Sequence, residues 1–530
     1  MFWGDKTANE IEIKLADKIK SGQPLIIRDE KTMSGRVHVG SLRGVVIHGI
    51  IDQILKEKKI ACKYLFEIND FDPFDGLPHY LDEKVYRPYM GRILKEVPSP
   101  DPAFPNFAEY VADEFIQVVK KTGFEPELYR SSTLYLEGKF DETIRLALDN
   151  AEKIRDIYKR VSGSDKGAEW LPVQLVCEQC QKIGTTKAIA WDGELVTYRC
   201  EKDLVKWAEG CGHEGKVSPF GGKGKLPWKV EWAAKWKIIG VDIEGAGKDH
   251  ATKGGSREVS TAIAKEVFDY KNPYDIPYNF LVVGGKKMSS SKGLGSTAKD
   301  ISDLLPPELT RLLMMRTRPP QEIDFEPDGD TIPVLYDFYD TIAESYWNKG
   351  HEDQARLFQL THTPTQKDKL KQRFLPRFSL IAYLSQMPHV DLHQETAKMK
   401  GSVLTKEDEA EVDYRTDYAK NWVEKYSPEK FKITIYTDSV PELARDLSVK
   451  QKQALKEILD YIRESDTLDG QAFHTKLHEL KEQLSIEPKE LFEAVYKSFL
   501  NADSGPKAGW FLSVLPRELL IKRLTEVSQA

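Results

Sequence analysis

The chain lacks several features that mark familiar classes of protein. Its 530 residues contain no apolar run near the roughly 20 residues that a membrane-spanning helix needs, so we expect no membrane partner. Residues 1–20 mix acidic and basic side chains around no apolar stretch, which argues against a secretory signal. Five cysteines, four of them clustered, argue against a disulfide framework and for a reducing compartment. We therefore expect a cytoplasmic protein.

The chain also lacks an excess of positive charge. It has 77 lysines and arginines against 84 aspartates and glutamates, which gives a net charge of −7. This balance neither supports nor excludes a nucleic-acid partner, because phosphate binding depends on local patches rather than on net charge. A hydrophobic fraction of 40% and a charged fraction of 30% are ordinary for a globular protein.

Residues 32–41 form the first stretch with a chemical signature. They read Thr-Met-Ser-Gly-Arg-Val-His-Val-Gly-Ser, between an apolar run at 24–27 and apolar residues at helical spacing through 42–55. The pattern predicts a tight turn from a buried strand into a helix. Such a turn directs backbone N–H groups and the positive end of the helix dipole toward an anion. An ordinary helix start would also explain this stretch taken alone.

Residues 284–293 form the second stretch. They read Gly-Gly-Lys-Lys-Met-Ser-Ser-Ser-Lys-Gly and follow a strand-like run at 278–283. Lysine ammonium groups in a hydroxyl-rich loop suit the oxygens of a polyphosphate. A solvated basic loop would explain this stretch by itself, so the argument depends on finding both stretches, in this order and each after a strand.

Together the two stretches resemble the paired signatures of the class I aminoacyl-tRNA synthetases. Residues 38–41 resemble the HIGH-type signature, and residues 287–291 resemble the KMSKS-type signature. The sequence around the two signatures, residues 34–44 and 287–293, resembles the class I lysyl-tRNA synthetases most closely. The resemblance extends over nearly the whole chain. The resemblance implies an α/β fold: a Rossmann-like doubly wound parallel sheet with insertions and a zinc-ribbon-like module, followed by an all-α C-terminal bundle.

The same resemblance implies an activity and a set of site residues. The activity is ATP-dependent ligation of L-lysine to tRNA-Lys through a lysyl-adenylate, with Mg²⁺ accompanying ATP. The implied catalytic residues, which stabilise the phosphates, are His38, Ser41, Lys287, Ser290 and Lys292. The implied ATP-binding residues are Ser34, Gly35, His38, Gly40, Gly247, Asp249, Met288, Ser289 and Ser291. The implied amino-acid-binding residues are Glu30, Thr32, Asp70, Trp228, His250 and Tyr278.

Two positions depart from the family pattern. Met33 stands where a proline is usual, and Glu30 stands where a glycine is usual. Inside the amino-acid pocket, Glu30 would either pair with the lysine ammonium or crowd it, and the sequence leaves both open. Ser290, at the fourth signature position, is usual for the lysyl group.

Three tryptophans mark the segment that precedes the next glycine-rich turn. Trp228, Trp232 and Trp236 recur at helical spacing, which predicts a helix that carries all three on one face. We interpret residues 237–243 as a strand that ends in the glycine-rich turn at 245–250. That turn resembles a further active-site loop of the family.

The clustered cysteines predict a metal site. A C-x2-C knuckle, Cys177 and Cys180, is followed by Cys200 and Cys211. Four thiolates at such spacing are typical of a closed, tetrahedral, structural zinc site. His213 is an alternative fourth ligand, and cysteines without a metal are the other alternative.

We expect the main domain boundary near residue 330. Residues 1–330 would form the catalytic domain, with an inserted segment at about 75–165 and a zinc-ribbon-like insertion at about 170–220. Residues 331–530 would form an α-helical, anticodon-binding domain of a monomer. Some aromatic and basic residues there are candidates for RNA contact, although most residues of this kind are simply solvated or in the core: Lys420, Trp422, Lys425, Tyr426, Lys507 and Trp510.

Three other functions stay open. A glutamyl- or glutaminyl-type synthetase would need arginines for an acidic side chain, and Arg28 and Arg43 are candidates. A small-molecule nucleotidyltransferase would need no RNA partner, and the long helical half argues against it. An RNA-binding paralogue without catalysis would not need the lysine–serine stretch.

Overall fold

A computed structural model describes residues 1–284, 297–387 and 390–529 of the protein. The chain forms two compact units. The first comprises Met1–Glu326 and Phe338–Lys371, and the second comprises Pro327–Asp337 and Gln372–Ala530.

The strands of the described residues all belong to the first unit. They are β1 (Leu25–Thr32), β2 (Cys62–Asn69), β3 (Glu127–Arg130), β4 (Gln174–Leu175), β5 (Thr186–Trp191), β6 (Val196–Cys200), β7 (Glu214–Val217), β8 (Gly224–Lys225), β9 (Ile243–Gly247), β10 (Tyr274–Tyr278), β11 (Leu281–Val283) and β12 (Ile323–Phe325). The helices up to residue 371 are α1 (Trp3–Lys14), α2 (Ala16–Lys20), α3 (Leu42–Glu57), α4 (Glu83–Tyr86), α5 (Phe107–Lys121), α6 (Ser131–Leu136), α7 (Asp141–Asp149), α8 (Ala151–Ser162), α9 (Trp228–Ile239), α10 (Ser256–Glu266), α11 (Ala298–Leu304), α12 (Pro307–Met315), α13 (Thr331–Trp347) and α14 (Glu352–Leu360).

A five-stranded parallel sheet organises the first unit, in the order β10-β9-β1-β2-β3. The predicted α/β, Rossmann-like architecture is confirmed. β1 and β2 pair along their whole length, whereas β1 and β9 pair at Ile27 and Ile243 in the described ladder. The chain order reverses between these two central strands, and in such sheets ligands bind beyond the carboxyl ends at that point.

The central strand and the helix that follows it are held by apolar packing. Leu25 and Ile27 on β1 are fully buried, as are Val45 and Val46 on α3. Between the two elements, the buried Met33 donates its backbone N–H to the carbonyl of Asn69 at 3.1 Å. A proline at position 33 has no N–H to donate, so the departure from the family pattern adds a bond between β1 and the end of β2.

The close approach of α3 to Phe124 gives a test of this packing. A Cβ at Gly49 would lie 2.5 Å from Cδ1 of Phe124. We expect Gly49→Ala to lower the free energy of unfolding by about 1 kcal/mol, since overpacking costs more than the roughly 1 kcal/mol that alanine adds in a helix. Urea unfolding would measure it. Lys56→Ala, on the exposed side of α3, serves as the control and should change stability by less than about 0.5 kcal/mol. A more stable Gly49→Ala would contradict the packing argument.

Two predicted strands have different bounds. The interpretation of residues 237–243 as one strand is wrong: α9 runs to Ile239, Gly240 ends it in the left-handed region at φ 76°, and β9 starts at Ile243. An apolar run such as this fits a buried helix end as well as a strand, so periodicity does not distinguish them. The run at 278–283 divides between β10, which ends at Tyr278, and β11.

Two small antiparallel sheets lie in the region predicted as a zinc-ribbon-like insertion. β5, β6 and β7 form one, and β4 pairs with β8 in the other. Within the segment predicted as an insertion at about 75–165, β3 joins the central sheet beside β2.

The second unit is helical in its described part. Its helices after residue 371 are α15 (Phe378–Leu384), α16 (Leu392–Lys400), α17 (Lys406–Lys425), α18 (Val449–Glu464), α19 (Gly470–Gln483), α20 (Pro488–Leu500), α21 (Ala508–Ser513) and α22 (Arg517–Gln529). Ser448 and Gln451 form a capping box at the start of α18. Among the described residues of the whole chain, no helix is long and apolar enough to cross a membrane.

Candidate active site

A cavity of about 420 Å³ opens beyond the carboxyl ends of β1 and β9. The described pairing of the two strands lies near their starts, at Ile27 and Ile243, and the cavity is lined by residues at their carboxyl ends. The floor carries residues of β1, one wall carries the turn before α3, and the other carries α9 and the segment after β9. This is the place where a doubly wound sheet binds its ligands.

The turn before α3 contributes His38, Gly40 and Ser41 to the cavity. Residues Val39–Ser41 form a 3₁₀ turn that leads directly into α3, with His38 at its start. A Cβ at Gly40 would lie 3.0 Å from Nδ1 of His38 and 3.4 Å from the carbonyl oxygen of Leu281. Glycine therefore lets the imidazole lie against the turn, beside the positive end of the helix dipole.

The chain on both sides of residues 285–296 lies beside this same turn. Leu281 approaches Gly40, and His38 forms an isolated antiparallel bridge with Thr297. The backbone N–H of Ala298 donates to the carbonyl of Val37 at 2.7 Å. The predictions for Lys287, Met288, Ser289, Ser290, Ser291 and Lys292 themselves lie outside the described residues.

An aromatic wall faces the turn across the cavity. Trp228 and Trp232 stack with ring centroids 5.6 Å apart, and the His250 ring meets Trp228 edge-on at 5.2 Å. Trp228 is 42% exposed, whereas Trp232 is buried. The Tyr278 side chain, from the end of β10, completes this wall. Such faces hold an alkyl chain and attract a cation.

Buried charges form the floor. The Arg28 guanidinium, on β1, has no exposed surface and donates to the carboxylates of Glu30, Glu67 and Glu244. The Glu244 carboxylate also accepts from the indole N–H groups of Trp232 and Trp236. Burial by itself would raise the pKa of Glu67, but Lys235 and Arg28 hold it well below its usual range. Glu67 is therefore ionised and paired within the floor, whereas burial raises the pKa of Glu244.

Lys235, on α9, belongs to the same network of buried charges. Its buried Nζ lies 2.6 Å from Glu67, 3.1 Å from Glu30 and 3.6 Å from Glu231. Burial lowers its pKa, but those carboxylates more than compensate and raise the pKa well above its usual value. Lys225 continues the chain of charges, at 2.8 Å from Glu231 and 3.0 Å from Asp72.

The described lining of the cavity is strongly acidic. Its six carboxylates are those of Asp29, Glu30, Asp72, Glu231, Glu244 and Asp249, and its two lysines are Lys31 and Lys235. Lys31 has a lowered pKa, chiefly because it is buried. Arg28 and Lys225 lie outside this lining and pair with four of its carboxylates, so the six carboxylates meet four cations. The remaining excess of negative charge favours a ligand that brings positive charge.

The structure brings most of the predicted site residues together. Those that line the cavity are Glu30, Thr32, His38, Gly40, Ser41, Trp228, Gly247, Asp249, His250 and Tyr278. Gly35 is buried within the turn, and Ser34 lines a neighbouring cavity of about 880 Å³. Asp70 is placed elsewhere: its carboxylate accepts the backbone N–H and the hydroxyl of Ser132, at the start of α6.

A family model described as tRNA synthetases class I (K) matches residues 1–366 of this chain. The chain belongs to this family. A lysine–tRNA ligase of Methanosarcina barkeri (strain Fusaro / DSM 804) is 32% identical over 550 residues, which cover 100% of this chain and 98% of that protein. A lysine–tRNA ligase of Methanocaldococcus jannaschii is 32% identical over 546 residues, 99% of each chain. A solved glutamate–tRNA ligase of Elizabethkingia meningosepticum aligns with 96% of this chain and all of its own, at 11% identity and a TM-score of 0.42.

Sequence reasoning missed several residues of this class I synthetase site. Lys235, Glu231 and Glu67 all belong to its charge network, and none was assigned a role in the pocket. Glu231 and Lys235 stand four residues apart on α9, the spacing of a helical ion pair, which was the signal available. Asp72 accepts from the Thr32 hydroxyl at 2.8 Å, and so occupies the place expected of Asp70.

The same synthetase brings its four clustered cysteines together in the ribbon. Their Sγ atoms all lie within 4.8 Å of one another, with Cys177 to Cys211 at 3.6 Å and Cys180 to Cys200 at 3.7 Å. The backbone N–H of Cys211 points to Sγ of Cys200 at 3.3 Å. His213 instead lies 4.0 Å from the Glu178 carboxylate and edge-on to Tyr198. The arrangement suits one metal ion held by four thiolates.

Proposed function

We propose that the protein ligates L-lysine to tRNA-Lys in two steps, with ATP as the co-substrate and lysyl-adenylate as the intermediate. The observation that carries the proposal is the acidic, aromatic cavity beside the anion-binding turn. The excess of carboxylates over cations, which remains when Arg28 and Lys225 are counted, favours an amino acid with a cationic side chain. The tryptophan wall suits the alkyl part of that side chain. The lysine–tRNA ligases to which the chain is similar support the same substrate and partner.

The first step is an in-line attack of the lysine carboxylate on the α-phosphorus of ATP, with pyrophosphate as the leaving group. It needs positioning and charge stabilisation rather than a covalent enzyme nucleophile. We assign the phosphates to His38, Ser41 and the helix N-terminus, with Lys287 and Lys292 from the signature stretch. Mg²⁺ would accompany the ATP phosphates.

We assign the remaining contacts of the site by position. Gly247 and Asp249, at the end of β9, would border the nucleotide, and a Cβ at Gly247 would lie 3.0 Å from the Asp249 carboxylate. Thr32, Trp228, His250 and Tyr278 would border the amino acid. In place of Asp70 we assign Asp72, which lines the cavity.

The buried arginines argue against an acidic amino-acid substrate. Arg28 is already paired with three carboxylates. Arg43 donates to the backbone carbonyls of Phe280, Arg318, Pro319 and Gln321. Neither guanidinium is available to receive a glutamate side chain, which removes the basis of the glutamyl-type alternative.

ATP–pyrophosphate exchange with each of the twenty amino acids, with and without bulk tRNA, tests the proposal. We expect exchange with lysine. Exchange with glutamate or glutamine instead would overturn the substrate assignment and leave the reaction class standing. No exchange with any amino acid, even in the presence of tRNA, would overturn the synthetase function of this chain.

We also propose that the four cysteines hold a structural zinc ion. Zinc–sulfur bonds of about 2.3 Å in a tetrahedron place the sulfur atoms about 3.8 Å apart, close to the two measured separations. Four protein ligands leave no open position, so the ion would stabilise the ribbon and take no part in the reaction.

Zinc content gives the matching prediction. We expect about one zinc ion per purified chain, and a fall to well below half of that in Cys180→Ser, since one thiolate of the four is lost. Cys62→Ser is the matched control, because Cys62 lies apart from the cluster and points to the Asp52 carboxylate at 3.2 Å. Unchanged zinc in Cys180→Ser, or its loss in Cys62→Ser, would contradict the site.

For the second unit we propose anticodon binding, and for the free chain a monomer. The indole N–H of Trp422 donates to the carbonyl of Pro327 and the ring is fully buried, so this tryptophan is unavailable for RNA. Trp510 has the Lys507 ammonium over its ring at 5.1 Å, an arrangement that suits stacking on a base.

A further inference from the structure

Glu30 is a carboxylate of the floor that two cations hold in place and that is still partly exposed in the cavity. Its side chain is 30% exposed and borders the cavity. The Arg28 guanidinium and the Lys235 ammonium both donate to its Oε2 atom, so the carboxylate is held from two sides. No residue within the described ranges donates to its Oε1 atom.

The other carboxylates of the network are buried or already hydrogen-bonded to several donors. Glu67 and Glu231 are almost fully buried between Lys235 and their other donors. Asp72 is bound by Thr32, Asn69 and Lys225. A carboxylate accepts about four hydrogen bonds, so Glu30, which lines the cavity, keeps unused capacity at its Oε1 atom.

We propose that Oε1 of Glu30 receives the side-chain ammonium of the amino-acid substrate and so selects a side chain with a single, compact positive charge. This proposal rests on the proposed function, since it names the group that chooses lysine in that reaction. An ammonium is a point charge that one oxygen can satisfy. A guanidinium binds a carboxylate best through two parallel bonds, and Oε2 is already occupied.

The arrangement also decides between the two roles that the sequence left open for Glu30. Its partners, Arg28 and Lys235, hold the carboxylate against the floor rather than across the cavity. Lys235 acts as a positioning residue, because it donates to Oε2 and leaves Oε1 available to the ligand. Glu30 therefore pairs with the substrate instead of crowding it.

Glu30→Gln tests the proposal by removing the charge at nearly constant volume. We expect KM for lysine in pyrophosphate exchange to rise about tenfold to 100-fold, the range for a hydrogen bond to a charged group. Norleucine has the same carbon chain without the ammonium, so the lysine-to-norleucine preference should fall by the same factor. Glu83→Gln, an exposed glutamate on α4, is the control and should leave both values unchanged.

Binding measurements separate this proposal from the proposed function. Trp228 and Trp232 line the cavity, so their fluorescence reports binding of lysine, norleucine or arginine whether or not the chain catalyses exchange. A lost preference for lysine in Glu30→Gln, in a protein that never exchanges pyrophosphate, would sustain the role of Glu30 and overturn the function. An unchanged preference would overturn the role of Glu30, whatever the exchange assay gives.

A second variant covers the case in which Glu30→Gln does not fold. Glu30→Asp keeps the charge and withdraws it by about one carbon–carbon bond. We expect it to shift the preference from lysine toward homolysine, which is one methylene longer. A variant that binds lysine and homolysine in the wild-type ratio would count against direct contact.

Discussion

Lys235→Met is expected to lower the free energy of unfolding by about 3–5 kcal/mol, the cost of leaving a buried charge without its partner. Lys235 is 1% exposed and lies within 4 Å of Glu30, Glu67 and Glu231. Methionine fills much of the volume but supplies no charge. Urea unfolding followed by tryptophan fluorescence would measure the loss. Lys237→Met, on the same helix, is the control, because Lys237 is 31% exposed and its partner Glu142 is 74% exposed.

The pH dependence of the same variant has a definite sign. In the wild type, Lys235 and Arg28 hold the pKa of Glu67 below its usual range, so its pairing stabilises the fold at every pH above about 4.3. Without Lys235, burial favours the protonated form. If burial then raises the pKa of Glu67 in the folded variant above its unfolded value, the folded variant takes up a proton before the unfolded chain does. Its deficit relative to wild type should therefore shrink as the pH falls toward about 4.3. A constant deficit would show that lost packing, not charge, is responsible.

His38→Ala is expected to lower kcat for lysine-dependent pyrophosphate exchange by about 100- to 1,000-fold, the usual effect of removing one donor aimed at developing charge. The imidazole lies over Gly40 at the start of the turn into α3, where it would meet the phosphates. KM for lysine should change little, because the amino-acid wall and floor are made by other elements.

The control for His38→Ala is His351→Ala. His351 is exposed, precedes α14 and makes no side-chain cap for that helix. It should leave exchange unchanged. A loss below about threefold in His38→Ala would mean that this imidazole is a structural part of the turn, since such a factor is under 1 kcal/mol.

The parts of the fold that could be predicted from the sequence are those that depend on residues close to one another along the chain. The strand, turn and helix around His38 follow from an apolar run, two glycines and helical spacing within some thirty residues. The four cysteines come together because a knuckle spacing has few ways to fold. The end of α9 was misplaced because Ile238 and Ile239 fit a helix end and a strand equally well.

The charge network could not be predicted, since its members lie on four separate elements. Arg28 is on β1, Glu67 on β2, Lys235 on α9 and Glu244 on β9. In the sequence Glu67, Lys235 and Glu244 look like ordinary surface charges, because 30% of this chain is charged, and Arg28 was a candidate only for the glutamyl-type alternative. Only the strand order β2-β1-β9 brings them under one cavity.

The pairing of Glu30 with two cations also constrains how this pocket evolved. A substitution that adds or removes its carboxylate leaves Arg28 and Lys235 with one partner fewer or more, so a single step passes through a weakened protein. We therefore expect relatives that carry glycine at this position to lack a cation at the position of Arg28 or of Lys235. We therefore expect the residues of the floor to be inherited as sets.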